Sequence, residues 1–154
     1  MSHAADQPTG FSLPNWTPRP QPPRTAMQGR FCRSEPLDAD RHAAELFTAN
    51  GADAEARMWT YLGYGPFASL ADYRAWVEAS AKSADPLFHA IVDLATGRAA
   101  GVASYLRIDA AVGVIEVGHI ALSPALQRTA AATEAMWLMM RRVFEELGYR
   151  RYEW

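Results

Sequence analysis

Between Val114 and Leu147 the chain reads V-I-E-V-G-H-I-A-L-S-P-A-L-Q-R-T-A-A-A-T-E-A-M and then continues in an apolar-periodic segment. Val114 to Leu122 has the composition of a strand. Small residues follow, and Ala132, Ala135, Met136, Met139, Val143 and Leu147 then recur at the spacing of one buried helix face. Gly148 is a stop signal, and Arg150 to Trp154 begins like another strand. Strand, helix, strand requires a crossover to a parallel neighbour, which restricts the chain to folds with helices packed on a sheet. The first N–H groups of a helix have no intrahelical partner and lie at the positive end of its dipole. Small side chains there let a phosphate approach the backbone, so the turn is a candidate anion cradle. The competing reading starts the helix at Ser123-Pro124, a good cap and first-turn pair, and places the cradle residues inside it.

The rest of the chain reads as one domain. Its 154 residues suit a single core, 49% are apolar, and the net charge of −2 excludes a strongly basic nucleic-acid binder. Cys32 is the only cysteine, so neither an intrachain disulfide nor a Cys-based zinc site fits, and no metal is expected. No apolar run approaches a membrane span, and no signal peptide opens the chain; a cytoplasmic protein is the default. Six of the ten prolines fall before residue 28, which marks residues 1–28 as a flexible Pro-rich leader ahead of a domain over 29–154. Phe11, Leu13 and Trp16 are its residues able to dock on the body.

Gly29 to Glu35 reads as a first strand, ended by Pro36. Asp38 caps a helix that runs to Asn50-Gly51. Trp59 to Phe67 is aromatic and Gly-rich without a period and reads as a loop. Ser69 and Asp72 form a capping-box pattern for a second helix. Leu87 to Asp93 and Ala100 to Arg107 read as a hairpin, and Asp109 to Gly113 turns the chain into the strand at Val114. The expected fold is α/β of the α+β type, with a mixed, mostly antiparallel central sheet and flanking helices.

With Q-R-T-A-A-A-T-E-A at the start of the long helix and E-V-G-H-I-A-L before it, this order resembles the GNAT acetyltransferase superfamily. The branch it resembles contains the ribosomal-protein N-terminal acetyltransferases. The resemblance covers residues 29–154 and implies an acyl-CoA N-acyltransferase-like fold, incomplete at its C-terminus. It implies an N-acetyltransferase that moves an acetyl group from acetyl-CoA to a primary amine, either a protein N-terminus or a small molecule. The family's acetyl-CoA motif falls on Gln127, Arg128, Thr129, Ala130, Ala131 and Ala132, with Ala130 where the motif has Gly. At a positive φ such an alanine costs about 1 kcal/mol or more; at a helical φ it costs nothing. Pantetheine is implied to lie along Ile120, Ala121 and Leu122. Tyr61, Tyr64 and Phe67 are the implied wall of the acceptor site; a satellite hydrophobic cluster explains them equally well.

Glu116 is the first candidate for the general base and His119 the second. A lone strand glutamate is otherwise a paired or solvated residue. Strand alternation puts Glu116 and His119 on opposite faces unless a bulge intervenes. The family's general acid, a tyrosine, would fall beyond Trp154, and the open edge of the last strand leads us to expect a truncated domain. The alternative function is a non-catalytic acyl-CoA-binding or interaction fragment, with a homodimer covering the last strand.

Overall fold

The computed structural model describes residues 10–154; residues 1–9 of the leader lie outside the described residues. A six-stranded sheet runs in the order β1 (Met27–Gln28), β2 (Cys32–Pro36), β3 (Leu87–Asp93), β4 (Arg98–Asp109), β5 (Val114–Leu122) and β6 (Arg151–Glu153). All neighbours are antiparallel except β5 and β6, which run parallel as the crossover requires. Helices α1 (Ala39–Asn50) and α2 (Leu70–Lys82) cover one face, and α3 (Ala130–Arg141) covers the other. Among the described residues no helix is long and apolar enough to cross a membrane.

The expected first strand, Gly29 to Glu35, starts later, at Cys32, and a short strand not expected from the sequence, β1, precedes it. Arg30 and Phe31 turn the chain between β1 and β2, and the Glu134 carboxylate of α3 accepts from the N–H groups of Arg30, Phe31 and Cys32 at 2.8, 2.6 and 2.8 Å. A carboxylate on α3 thus satisfies the donors of a turn that no strand reaches.

The helix caps form as the sequence dictates. Asp38 accepts from the Arg41 N–H at 2.9 Å, and Ser69 accepts from the Asp72 N–H at 3.1 Å. The Asp72 carboxylate takes the Ser69 hydroxyl (2.7 Å) instead of completing a capping box.

Helix α3 buries Ala131, Ala132, Ala135, Leu138 and Met139 against Leu87, Ile91, Ile115 and Val117. Each fully buried Leu or Met contributes about 1.5–3 kcal/mol. Beyond Arg141 the hydrogen bonding widens into a π turn over Arg142–Glu146. The buried Tyr105 hydroxyl donates to the Met139 carbonyl at 2.8 Å just before it. The π turn also keeps Arg142 inside, where its guanidinium donates to the carbonyls of Thr25 (2.8 Å) and Ala26 (3.1 Å).

Leader residues make further contacts with the body. The Trp16 indole N–H donates to Ala111 O (2.9 Å), Arg19 Nε to Gly148 O (2.9 Å) and Arg24 Nη1 to Ala81 O (2.9 Å), beside the C-terminus of α2. Phe11 and Leu13 remain exposed.

Candidate active site

Strand β5 does not alternate along its whole length. Gly118 pairs with Ser104 and Ala121 with Val102, so His119 and Ile120 together face the single Ala103. His119 takes φ 49, and the bulge reverses the facing of the residues around it. Ile115 and Val117 pack on the α3 side, whereas His119 lies with Phe88 and Tyr64 on the α1–α2 side. The exception to strict alternation therefore applies here, and the bulge brings His119 to the face that carries Glu116.

Glu116 is half-buried, with 18% of its side chain exposed, and ion-pairs with Arg107 Nη1 at 3.2 Å. Arg107 is a residue the sequence did not single out. It stands at φ 47 in a second register shift, and Asp85 accepts from the N–H groups of both Arg107 and Ile108 at 2.9 Å. Nothing local marks Arg107, because the carboxylate that holds its backbone lies 22 residues away.

His119 Nδ1 lies 3.2 Å from the Tyr64 hydroxyl, with the two rings nearly parallel at 16°. Tyr64 packs against Trp76 (4.6 Å between centroids), and Phe88 closes the other side of His119 at 5.2 Å. Burial pushes the His119 pKa down, and the Glu116 charge partly opposes this, so the imidazole is neutral at neutral pH. Burial pushes the Tyr64 phenol up, which keeps it protonated. Phe67 sits in the same cluster against Trp59, Tyr73 and Trp76. Tyr61 does not join them; it is 98% exposed. Trp76 and Phe88 complete this aromatic cluster, although their sequence signal is only that of buried apolar positions.

The turn after β5 runs from Ser123 to Thr129, where Ser123 O accepts from the N–H groups of Leu126 (2.9 Å) and Gln127 (3.0 Å). The helix begins at Ala130, not at Ser123, because Thr129 is its cap and accepts from the Ala132 N–H at 3.2 Å. Arg128 carries the left-handed conformation (φ 58), two residues before Ala130, which opens the helix. The alanine in place of glycine therefore bears no conformational cost. Among the described residues, the N–H groups of Arg128, Thr129, Ala130 and Ala131 donate to no protein acceptor. Ala130 is exposed, while Ala131 and Ala132 pack inward.

Strand β6 pairs with β5 only at Val114, Ile115 and Glu116. Ser123 N–H donates to Ala100 O, so alternation turns the N–H and C=O of Leu122 away from β4. The Leu122 carbonyl is taken by Gln127 Nε2 at 2.9 Å, and its N–H stays on the open edge beside Ala121 and Ile120. Gln127 thus anchors the turn to the strand. A cleft of about 330 Å³ opens beside this turn, lined by Arg57, Pro124 and Gln127. Among the described residues no group of three His, Cys, Asp or Glu side chains is placed to hold a metal ion.

An open strand edge leading to unpaired helix N-terminal amides can hold an extended, phosphate-bearing ligand. Comparison with known proteins bears on the family. A family model for the acetyltransferase (GNAT) domain matches residues 35–154. The chain is 48% identical to a GCN5-related N-acetyltransferase from Brucella melitensis (TM-score 0.89), and the match covers 92% of this chain and 64% of that one. It is 35% identical to a probable acetyltransferase (GNAT family) from Chromobacterium violaceum (TM-score 0.82), with 95% and 72% covered. The ribosomal L7/L12 alpha-N-protein acetyltransferase RimL shares the fold at 14% identity (TM-score 0.66), with 82% and 68% covered. No curated protein matches the chain. The chain thus spans 64% of the length of its Brucella relative. On the family model and these two relatives above 30% identity, the chain belongs to the GNAT acetyltransferase family.

Proposed function

We propose that this protein is an N-acetyltransferase that transfers an acetyl group from acetyl-CoA to a primary amine of a protein N-terminus or a small molecule. The observation that carries the reading is the open edge of β5 leading into four unpaired amides at Arg128 to Ala131. In this reading those amides, with Gln127 and Ala132 framing them, receive the pyrophosphate. The backbone of Ile120, Ala121 and Leu122 receives the pantetheine arm as an added strand. Acetyl-CoA supplies the activated acyl thioester.

The protein's own residues orient the amine and move its proton. Glu116 is a carboxylate on the acceptor face of β5, placed to take a proton from an ammonium directly or through water. A backbone N–H of the bulged strand polarises the acyl carbonyl. Tyr64 and Phe67 wall the acceptor side and exclude water. Tyr61, exposed as it is, would meet only an acceptor that extends outward.

The test is acetyl-CoA-dependent release of free thiol with a panel of amines and N-terminal peptides. Glu116→Gln should lower kcat by about 10²–10⁴-fold while leaving CoA binding intact. Ala130→Asp should weaken CoA binding, because it sets a negative charge among the amides. Unchanged CoA affinity in Ala130→Asp would show that the phosphates sit elsewhere. CoA binding without turnover on any amine would favour the non-catalytic acyl-CoA-binding alternative.

A further inference from the structure

The two candidate bases on β5 have different neighbours, and the difference decides what each can do. Glu116 faces a guanidinium at its surface. His119 faces a phenol from the loop that precedes α2. A buried neutral phenol and a neutral imidazole share one proton position between Oη and Nδ1. The phenol O–H is the better donor and the bare imidazole nitrogen the better acceptor, so the stable arrangement is O–H···Nδ1. The ring's own proton then resides on Nε2. Nε2 has no protein partner among the described residues and is open to solvent. The backbone reinforces this. His119 is held at φ 49 in the bulge with Phe88 and Tyr64 against its ring, which leaves little freedom to flip.

We infer that Tyr64 is a positioning residue that fixes His119 as an Nε2–H hydrogen-bond donor to the acceptor substrate, so that Glu116 alone is the base. The inference rests on the acetyl-transfer reading and narrows its acceptor. An outward N–H beside the base favours an amine that carries a carbonyl or another lone-pair group near its nitrogen over a plain alkyl amine. A pocket whose polar group is a donor discriminates by leaving that donor unpaired when the wrong ligand binds.

Long-range nitrogen–proton correlation spectra of the full chain with labelled histidine report the tautomer directly. The expected result is Nε2–H for His119 in the wild type and a mixture of tautomers in Tyr64→Phe. An Nδ1–H tautomer in the wild type would overturn the inference. Adding glycinamide should move the His119 Nε2 resonance and adding ethylamine should not; equal responses would also overturn it. In turnover, the glycinamide-to-ethylamine ratio of kcat/KM should fall about tenfold in His119→Ala, the worth of one neutral hydrogen bond. It should persist in His119→Gln, whose side-chain amide offers a donor at the Nε2 position. Loss of turnover in His119→Gln as complete as in Glu116→Gln would identify His119 as a proton acceptor and refute the inference. Absence of thiol release from the wild type is the separate failure of the acetyl-transfer reading, and the two spectroscopic results decide the tautomer and the ligand contact without it.

Discussion

His89 on β3 makes the stability of this domain depend on pH in the mildly acidic range. It is fully buried, and neither ring nitrogen has a hydrogen-bond partner. Burial, followed by the nearby Arg142 charge, lowers its pKa from 6.5 to about 4. A histidine depressed in the folded state is neutral there while the unfolded chain already binds its proton. Stability is therefore complete above the unfolded value of 6.5 and is lost as pH falls from 6.5 toward 4. Each pKa unit corresponds to about 1.4 kcal/mol, so this one residue accounts for a loss of about 3 kcal/mol across that window. His89→Leu removes the titration and two unsatisfied nitrogens at similar volume. At neutral pH it should be neutral or slightly stabilising. The assay is urea unfolding of both proteins from neutral pH down to about pH 4.5, with the difference in free energy plotted against pH; carboxylates common to both cancel in that difference. A His89→Leu protein that loses stability in parallel with the wild type would refute the argument. So would a loss of several kcal/mol at neutral pH, since it would mean that the ring is hydrogen-bonded after all.

Four further outcomes follow from other contacts. Glu134→Gln should cost about 2 kcal/mol at neutral pH by removing a charged acceptor from three backbone donors, as measured by urea unfolding. Burial opposes the Glu134 charge, but those donors outweigh it and lower the pKa below 4.5; the wild type's advantage is thus present above 4.5 and fades as pH falls through the lowered value. Tyr105→Phe should lower stability by about 1–2 kcal/mol in thermal unfolding, because the Met139 carbonyl loses its buried donor beside the π turn. Gly113→Ala should cost about 2 kcal/mol or more and speed exchange of the Arg19 amide, which donates to Ala110 O, since φ is +66 at Gly113 and a Cβ there would overlap the Trp16 ring. Arg128→Gly should raise stability by about 0.5–1 kcal/mol by relieving a left-handed arginine, while CoA affinity measured by calorimetry falls through loss of the cation.

Much of the fold was legible because it rests on local chemistry. Asp38 and Ser69 cap their helices wherever those helices pack, and the apolar period from Ala132 to Met139 selects the buried face of α3. The parallel pairing of β6 with β5 followed from a helix standing between two strands. Two boundaries were not legible. The apolar period runs through to Leu147, but the helix widens at Arg142, where a buried guanidinium meets the carbonyls of Thr25 and Ala26 more than a hundred residues away in sequence. The sequence places a strand from Gly29, but Gly29 to Phe31 form a turn whose donors Glu134 satisfies, and the strand begins at Cys32.

For the site, the sequence alone determined the strand and the turn of small residues after it, because small side chains do not depend on their neighbours; the amides at the helix start are free only because Thr129, not Ser123, caps the helix. Only the tertiary structure decided how the side chains of β5 face. The period of two predicts that Glu116 and His119 diverge, and one extra residue opposite Ala103 overrules it. That bulge sets His119 against Tyr64, which arrives from a loop with no period of its own, while Arg107 reaches Glu116 from a backbone pinned by Asp85. Local pattern records what each residue would do alone. Which side chains meet at the site depends on long-range contacts that close only once the sheet has formed.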